Sequence, residues 1–116
     1  LARFTQVDYD RELALVATAK DARAPESFVG VARYIANPDG ESTEFAVVVA
    51  DAWQGRGVAR ALMERLMAAA QRRGLTRMEG TVLRANETML KFTAALGFRV
   101  HDDPEDHEQV IVQRDL

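Results

Sequence analysis

The chain has 116 residues, enough for one core that buries roughly two-thirds of the unfolded surface. It has no cysteine, which removes disulfides, zinc thiolate sites and a thiol nucleophile together and fits a cytoplasmic protein. A net charge of −3 argues against nucleic acid as the main ligand, and no apolar run approaches the ~20 residues of a membrane span.

Residues 1–116 read as a single domain, without repeats, linkers or low-complexity stretches. Arg11 to Lys20 (RELALVATAK) alternates loosely, as a strand does. The turn-rich Asp21 to Ser27 separates it from a second strand, Phe28 to Ala36. Asn37-Pro38-Asp39-Gly40 is strong turn chemistry and leads into a third strand that opens at Glu44. These three make an antiparallel meander. The third, Phe45 to Ala50, is apolar at every position, which predicts a strand buried on both faces.

Gln54-Gly55-Arg56-Gly57 then turns the backbone into a helix running from Val58 to about Arg73. Leu62, Leu66 and Ala69 form its apolar stripe, with Met63, Met67 and Ala70 beside it. Gly74 caps it, and Arg77 to Leu83 reads as a strand, so strand, helix and strand form a βαβ crossover. Asn86 caps a second helix with apolar Met89, Leu90, Phe92 and Leu96, and Gly97 stops it. Arg99 to His101 and Gln109 to Arg114 make a last hairpin around an acidic loop. The predicted fold is a mixed-sheet α/β (α+β) domain: meander, crossover, helix, hairpin.

The turn after the third strand carries the chemistry. A helix N-terminus with free amides is an anion site, and glycines let a phosphate approach the backbone closely. A Walker loop would end in Gly-Lys-Ser/Thr, which is absent, and a dinucleotide fingerprint would need a small residue where Arg60 stands. What remains is Gln/Arg-x-x-Gly-x-Gly/Ala, matched by Gln54, Gly57 and Ala59, against the bland alternative of an ordinary glycine-rich turn. Together with the Asn-helix-Gly-Phe segment from Asn86 to Phe98, this loop resembles the two signatures of the GNAT superfamily of N-acetyltransferases. The resemblance implies acetyl-CoA as cosubstrate. Gln54, Gly55, Arg56, Gly57, Val58, Ala59 and Arg60 would hold its pyrophosphate. Val47, Val48 and Val49 would offer backbone to the pantetheine, and Asn86 and Phe92 would border that arm. Arg56 and Arg60 read as partners for the anion, whereas Arg65, Arg72 and Arg73 read equally well as a solvated helix face.

Elimination narrows the reaction. Ser27 and Ser42 lie in turns, and His101 and His107 are too few and too badly spaced for zinc. The acidic run Asp102 to Asp106 lacks calcium-loop spacing, so no metal is expected. Direct attack of a bound amine on a thioester needs only positioning, an amide for the developing oxyanion, and a base. The base matters, because deprotonating a lysine at pH 7 costs about 4.6 kcal/mol. Glu44, Glu12 and Glu79 each open a strand at the edge opposite the phosphates and are the candidates in that order, each with a solvated strand-end glutamate as its alternative.

FTQVDYDRELALVA, the NPDG turn, EFAVVVADAWQGRGVARALMERL and MEGTVLRAN are similar to the acetyltransferase domain of bacterial Pat-type protein lysine acetyltransferases, from Phe4 to Leu116. That resemblance implies an active-site lysine of acetyl-CoA synthetase as acceptor, Glu44 as base, and an acyl-CoA synthetase-like region beside the domain in the full-length chain. Two departures stand out. Thr93 occupies the place where many relatives have a tyrosine acid, and the usual first strand and two helices are missing before Phe4, as in an N-terminally truncated domain. A small-molecule amine acetyltransferase and a non-catalytic acetyl-CoA sensor remain the alternatives. Neither a nucleic-acid nor a membrane partner is expected.

Overall fold

One strand precedes everything the sequence announces. β1 (Ala2–Asp8) pairs antiparallel with β2 (Glu12–Ala19), Phe4 lying opposite Ala17 and Val7 opposite Ala14. The structure, a computed structural model, describes residues 2–20 and 26–116, so most of the turn expected over Asp21 to Ser27 lies outside the described residues. β3 (Ser27–Ala36) and β4 (Ser42–Val49) complete a meander of four antiparallel strands rather than three. A strand therefore stands where none was expected, joined to β2 by a tight turn in which the Tyr9 amide donates to the Glu12 carbonyl at 2.8 Å.

The remaining elements follow the expected order. α1 (Val58–Arg72), β5 (Arg77–Leu83), α2 (Glu87–Ala95), β6 (Arg99–Asp102) and β7 (Gln109–Asp115) complete a seven-stranded sheet ordered β1-β2-β3-β4-β5-β7-β6. Both helices end in the same way: the amides of Leu75 and Phe98 reach back to the carbonyls of Ala70 and Thr93, closing Schellman turns over Gly74 and Gly97.

The core lies between α1 and one face of the meander. Register sets Leu13 opposite Tyr34, Tyr34 opposite Phe45, and Leu15 opposite Ala32, and all of these are buried. Leu62, Met63 and Leu66 of α1 pack on them without exposure, each side chain contributing about 1.5–3 kcal/mol by leaving water. β4 departs from expectation here. Phe45, Val47 and Val49 face the helices, but Glu44, Ala46 and Val48 face the other way and are exposed, Val48 at 60%. Among the described residues nothing covers that second face, so the strand is buried on one side only.

β4 and β5 are the one parallel pair in the sheet, and they are joined only briefly. Ser42 pairs with Arg77, Thr43 with Met78 and Glu44 with Glu79, after which the two strands diverge. Phe45 to Val49 keep their ladder to β3 but, among the described residues, have no partner on the β5 side. The sheet thus opens into a gap that begins at Glu44.

Candidate active site

The loop after β4 is built to present bare amides. A single 3₁₀ turn, Asp51–Trp53, ends the strand, and the chain then passes through Gly55 at φ +77° and Gly57 at φ +79°. This left-handed conformation costs an L-residue about 1–2 kcal/mol, which is why glycine occupies both places. Gly57 is the N-cap of α1, yet no side chain caps the helix and its first turn holds no acidic residue. The first backbone amide to find its helical acceptor is that of Ala61, donating to the Gly57 carbonyl at 3.1 Å. The amides before it, together with the helix dipole, make this end of α1 suited to an anion.

A cavity of about 470 Å³ opens in front of those amides. Of the residues read from the sequence as cofactor contacts, Val47, Val49, Gln54, Gly55, Gly57, Val58, Ala59, Arg60, Asn86 and Phe92 line it. Two do not. Val48 turns its side chain to the opposite face, leaving only its backbone beside the gap. The Arg56 guanidinium lies over the Trp53 ring, 4.9 Å from its centroid. Trp53, Thr88 and Met89 also line the cavity and were not singled out from the sequence. Their signal was adjacency, since Trp53 precedes Gln54 and Met89 stands one helical turn beyond Asn86.

Several polar groups around the loop already have partners. The Gln54 amide donates to the Val49 carbonyl at 3.3 Å and to Asp51 Oδ1 at 3.2 Å, which braces the loop from within. Arg60 is paired with Glu64 at 2.8 Å, and Arg73 with Asp8 at 3.1 Å. Arg65 stacks over Phe4 at 4.2 Å, so it serves the face of α1 rather than the loop. Asn86 accepts from the Met89 amide at 3.1 Å, as an N-cap should, and so fixes where Met89 and Phe92 meet the cavity.

The carboxylates lie across the sheet from that cavity. Glu12 pairs in register with Ile35, Ile35 with Glu44, and Glu44 with Glu79, so the three glutamates form one row on the face away from the helices. Glu79 is one strand from Glu44, roughly 5 Å, whereas Glu12 is two strands away, roughly 10 Å. Glu12 lies 3.5 Å from Arg33, and Glu79 accepts from the Asn37 amide at 3.3 Å. Among the described residues Glu44 has no such partner, and it borders a small cavity of about 200 Å³ with Arg33, Ile35, Phe45 and Ala46. Its strand is anchored by Asp39. That carboxylate accepts from the Ser42 amide and hydroxyl and from the Glu41 amide, which hold its pKa down at about 2.

Two polar groups are engaged elsewhere. The Thr93 hydroxyl is fully buried and donates to the Met89 and Leu90 carbonyls at 3.0 and 3.2 Å, so it faces the helix and not a leaving group. His101 bonds Gln113 at 3.0 Å, and among the described residues no cluster of three metal-ligating side chains exists. A cavity lined by bare amides thus lies on the helix side of β4, the row of carboxylates lies on the other side, and the β4–β5 ladder ends at Glu44 between them.

Known proteins share this fold. An acetyltransferase of Pseudomonas aeruginosa is 37% identical over 112 residues, covering 96% of this chain and 59% of that protein. The GNAT domain of S. lividans PAT superposes with a TM-score of 0.80 at 33% identity, covering 94% of this chain and 64% of that one. A cAMP-binding acyltransferase from Mycobacterium smegmatis does so with a TM-score of 0.72 at 29% identity, covering 94% and 32%. The chain therefore spans less than two-thirds of the length of these relatives. The family model of the acetyltransferase (GNAT) family matches residues 2–98, and with the loop, the gap and the sheet order described above, the chain belongs to that family.

Proposed function

We propose that this domain transfers the acetyl group of acetyl-CoA to the side-chain amine of a protein lysine, by direct attack with Glu44 as general base. The observation that carries the reading is the position of Glu44, on the last rung before β4 and β5 diverge and on the face opposite the cofactor cavity. The amides of Gly57 to Arg60 hold the pyrophosphate, and Val47, Val49, Met89 and Phe92 flank the pantetheine arm. Glu44 takes the proton of the incoming ammonium, directly or through a water. Backbone N–H groups on the β4 edge that lost its β5 partner face the carbonyl oxygen as it gains charge. The departing thiol has an ordinary pKa of about 8.5, so it leaves without a side-chain acid, which suits the position of Thr93.

The acceptor follows from two supports. The glutamate face is open among the described residues, which suits a lysine carried on a folded surface, and the GNAT domain of S. lividans PAT is 33% identical. An acetyl- or acyl-CoA synthetase-like protein is the partner, in the cytoplasm, and a synthetase-like region accompanies the domain in the full-length chain. The test is acetylation of purified acetyl-CoA synthetase, followed by mass spectrometry, with wild type and Glu44→Gln side by side. Wild type should modify one lysine, and the variant should be about 10²–10⁴-fold slower with unchanged affinity for CoA. Equal rates would remove Glu44 as base. Acetylation of free polyamines or aminoglycosides instead would make the domain a small-molecule enzyme, and cofactor binding without transfer to any amine would make it a sensor.

A further inference from the structure

We infer that Phe45 sets the acyl-chain limit of this domain, favouring acetyl over butyryl and longer groups. The inference rests on the acyl-CoA reading of the cavity given above. Three β4 side chains face the helices in sequence from the loop: Val49, Val47 and Phe45. The first two line the cavity, together with Met89 and Phe92 of α2. An arm whose pyrophosphate sits at the α1 amides runs down the strand past Val49 and Val47. Its thioester end therefore points at Phe45, about 7 Å further along the strand than Val47.

The ring that it meets is held on two sides. A Cβ built on Gly80 of β5 would lie 2.6 Å from Phe45 Cε1 and 2.9 Å from Cζ, so the ring rests directly on the glycine backbone. Behind it stands Phe98, ring centroids 5.3 Å apart and tilted by 58°. Phe45 is 9% exposed, while Val47 and Val49 beside the cavity are only half-buried. Val47, the next residue of β4 on this face, stands on the side from which an acyl chain arrives. Glu44, Phe45 and Ala46 also border the small cavity on the opposite face, so this segment of β4 is the partition between the cofactor side and the glutamate side.

A short acyl group stops before the ring and leaves its carbonyl within reach from the Glu44 face. A longer one must either displace a ring pinned between Gly80 and Phe98 or bend out of the gap. Apolar walls discriminate single methylenes weakly, by about 10–200-fold, so the cut-off should be graded rather than absolute. A residue that merely filled the core would show no dependence on acyl length at all.

The experiment is calorimetric titration of CoA, acetyl-CoA, propionyl-CoA and butyryl-CoA into wild type, Phe45→Leu and Phe45→Ala, with thermal melts to establish folding. Phe45→Leu keeps most of the apolar volume and decides the matter if Phe45→Ala fails to fold. Wild type should bind butyryl-CoA at least about tenfold more weakly than acetyl-CoA. Phe45→Leu should bring that ratio to within about threefold while leaving the affinity for free CoA unchanged. Equal binding of acetyl- and butyryl-CoA by wild type, or an unchanged ratio in a folded Phe45→Leu, overturns the inference and leaves the cofactor reading standing. If no CoA species binds wild type, the cofactor reading fails and takes this inference with it.

Discussion

Replacing Gly57 by alanine separates the two roles of the loop. Gly57 has φ +79°, and an L-residue held there costs about 1–2 kcal/mol of backbone strain. About 0.4–1 kcal/mol of that is offset because alanine also stiffens the unfolded chain. The new methyl meets no protein atom within 4 Å, so no clash adds to the cost. The net loss of stability should be about 1 kcal/mol, read by urea unfolding. Binding should suffer more. The methyl projects beside bare amides that line the cavity, and losing one charge-assisted hydrogen bond there costs about 1.5–3 kcal/mol, roughly 10–100-fold in affinity for CoA. Calorimetric titration measures it, and pantetheine without phosphates should be unaffected. A variant that shows the stability loss but binds CoA within about twofold of wild type would make the loop a simple turn, and the reasoning from free amides would be wrong.

Two further outcomes follow from groups whose environment is fixed. Asp39 has its pKa depressed to about 2 by the Ser42 and Glu41 donors, so it stabilises the fold above the unfolded value near 4 and loses that contribution as pH falls through about 2. Asp39→Ala should therefore unfold at lower urea than wild type at pH 7, and the two midpoints should converge as the pH approaches 2. Thr93→Val should lower stability by about 1 kcal/mol in denaturant, because it removes the hydroxyl that donates to the Met89 and Leu90 carbonyls, and leave the acetyl-transfer rate unchanged. A rate loss there in a folded variant would restore Thr93 to the chemistry.

How much of this could be read beforehand depended on whether a residue's burial and its role coincide. β5 was bounded correctly at Arg77–Leu83, and α1 to within a residue, because their apolar periods record a single core-facing side. β1 gave no such record. It is an edge strand whose half-buried anchor is Phe4, while Thr5, Gln6 and Val7 are exposed, so its composition carries no alternation to detect. The unbroken apolar run of β4 suggested two covered faces, but an apolar run does not say what covers it. The placement of the loop, of the Asn86 cap and of the glutamates at strand starts was readable because glycine, a capping amide and a carboxylate each have a restricted chemistry. Trp53 and Met89 were not, since an apolar side chain that walls a cavity has the same composition signature as one that fills a core.

The brevity of the β4–β5 ladder has a mechanical side. Three residue pairs are all that join the four-strand meander to the β5-β7-β6 half of the sheet in the plane of the strands. The loop and α1 that line one end of the larger cavity follow β4, while Asn86, Met89 and Phe92 that line its flank follow β5. A molecule seated there touches both halves and replaces strand pairing that the backbone gave up. It acts as a rivet across a seam, and at 100 times its dissociation constant it adds about 2.7 kcal/mol to the folded state. On the proposed reading the domain would be stiffest when loaded and slackest once the spent carrier has gone, so the seam that admits the donor would also ease its release.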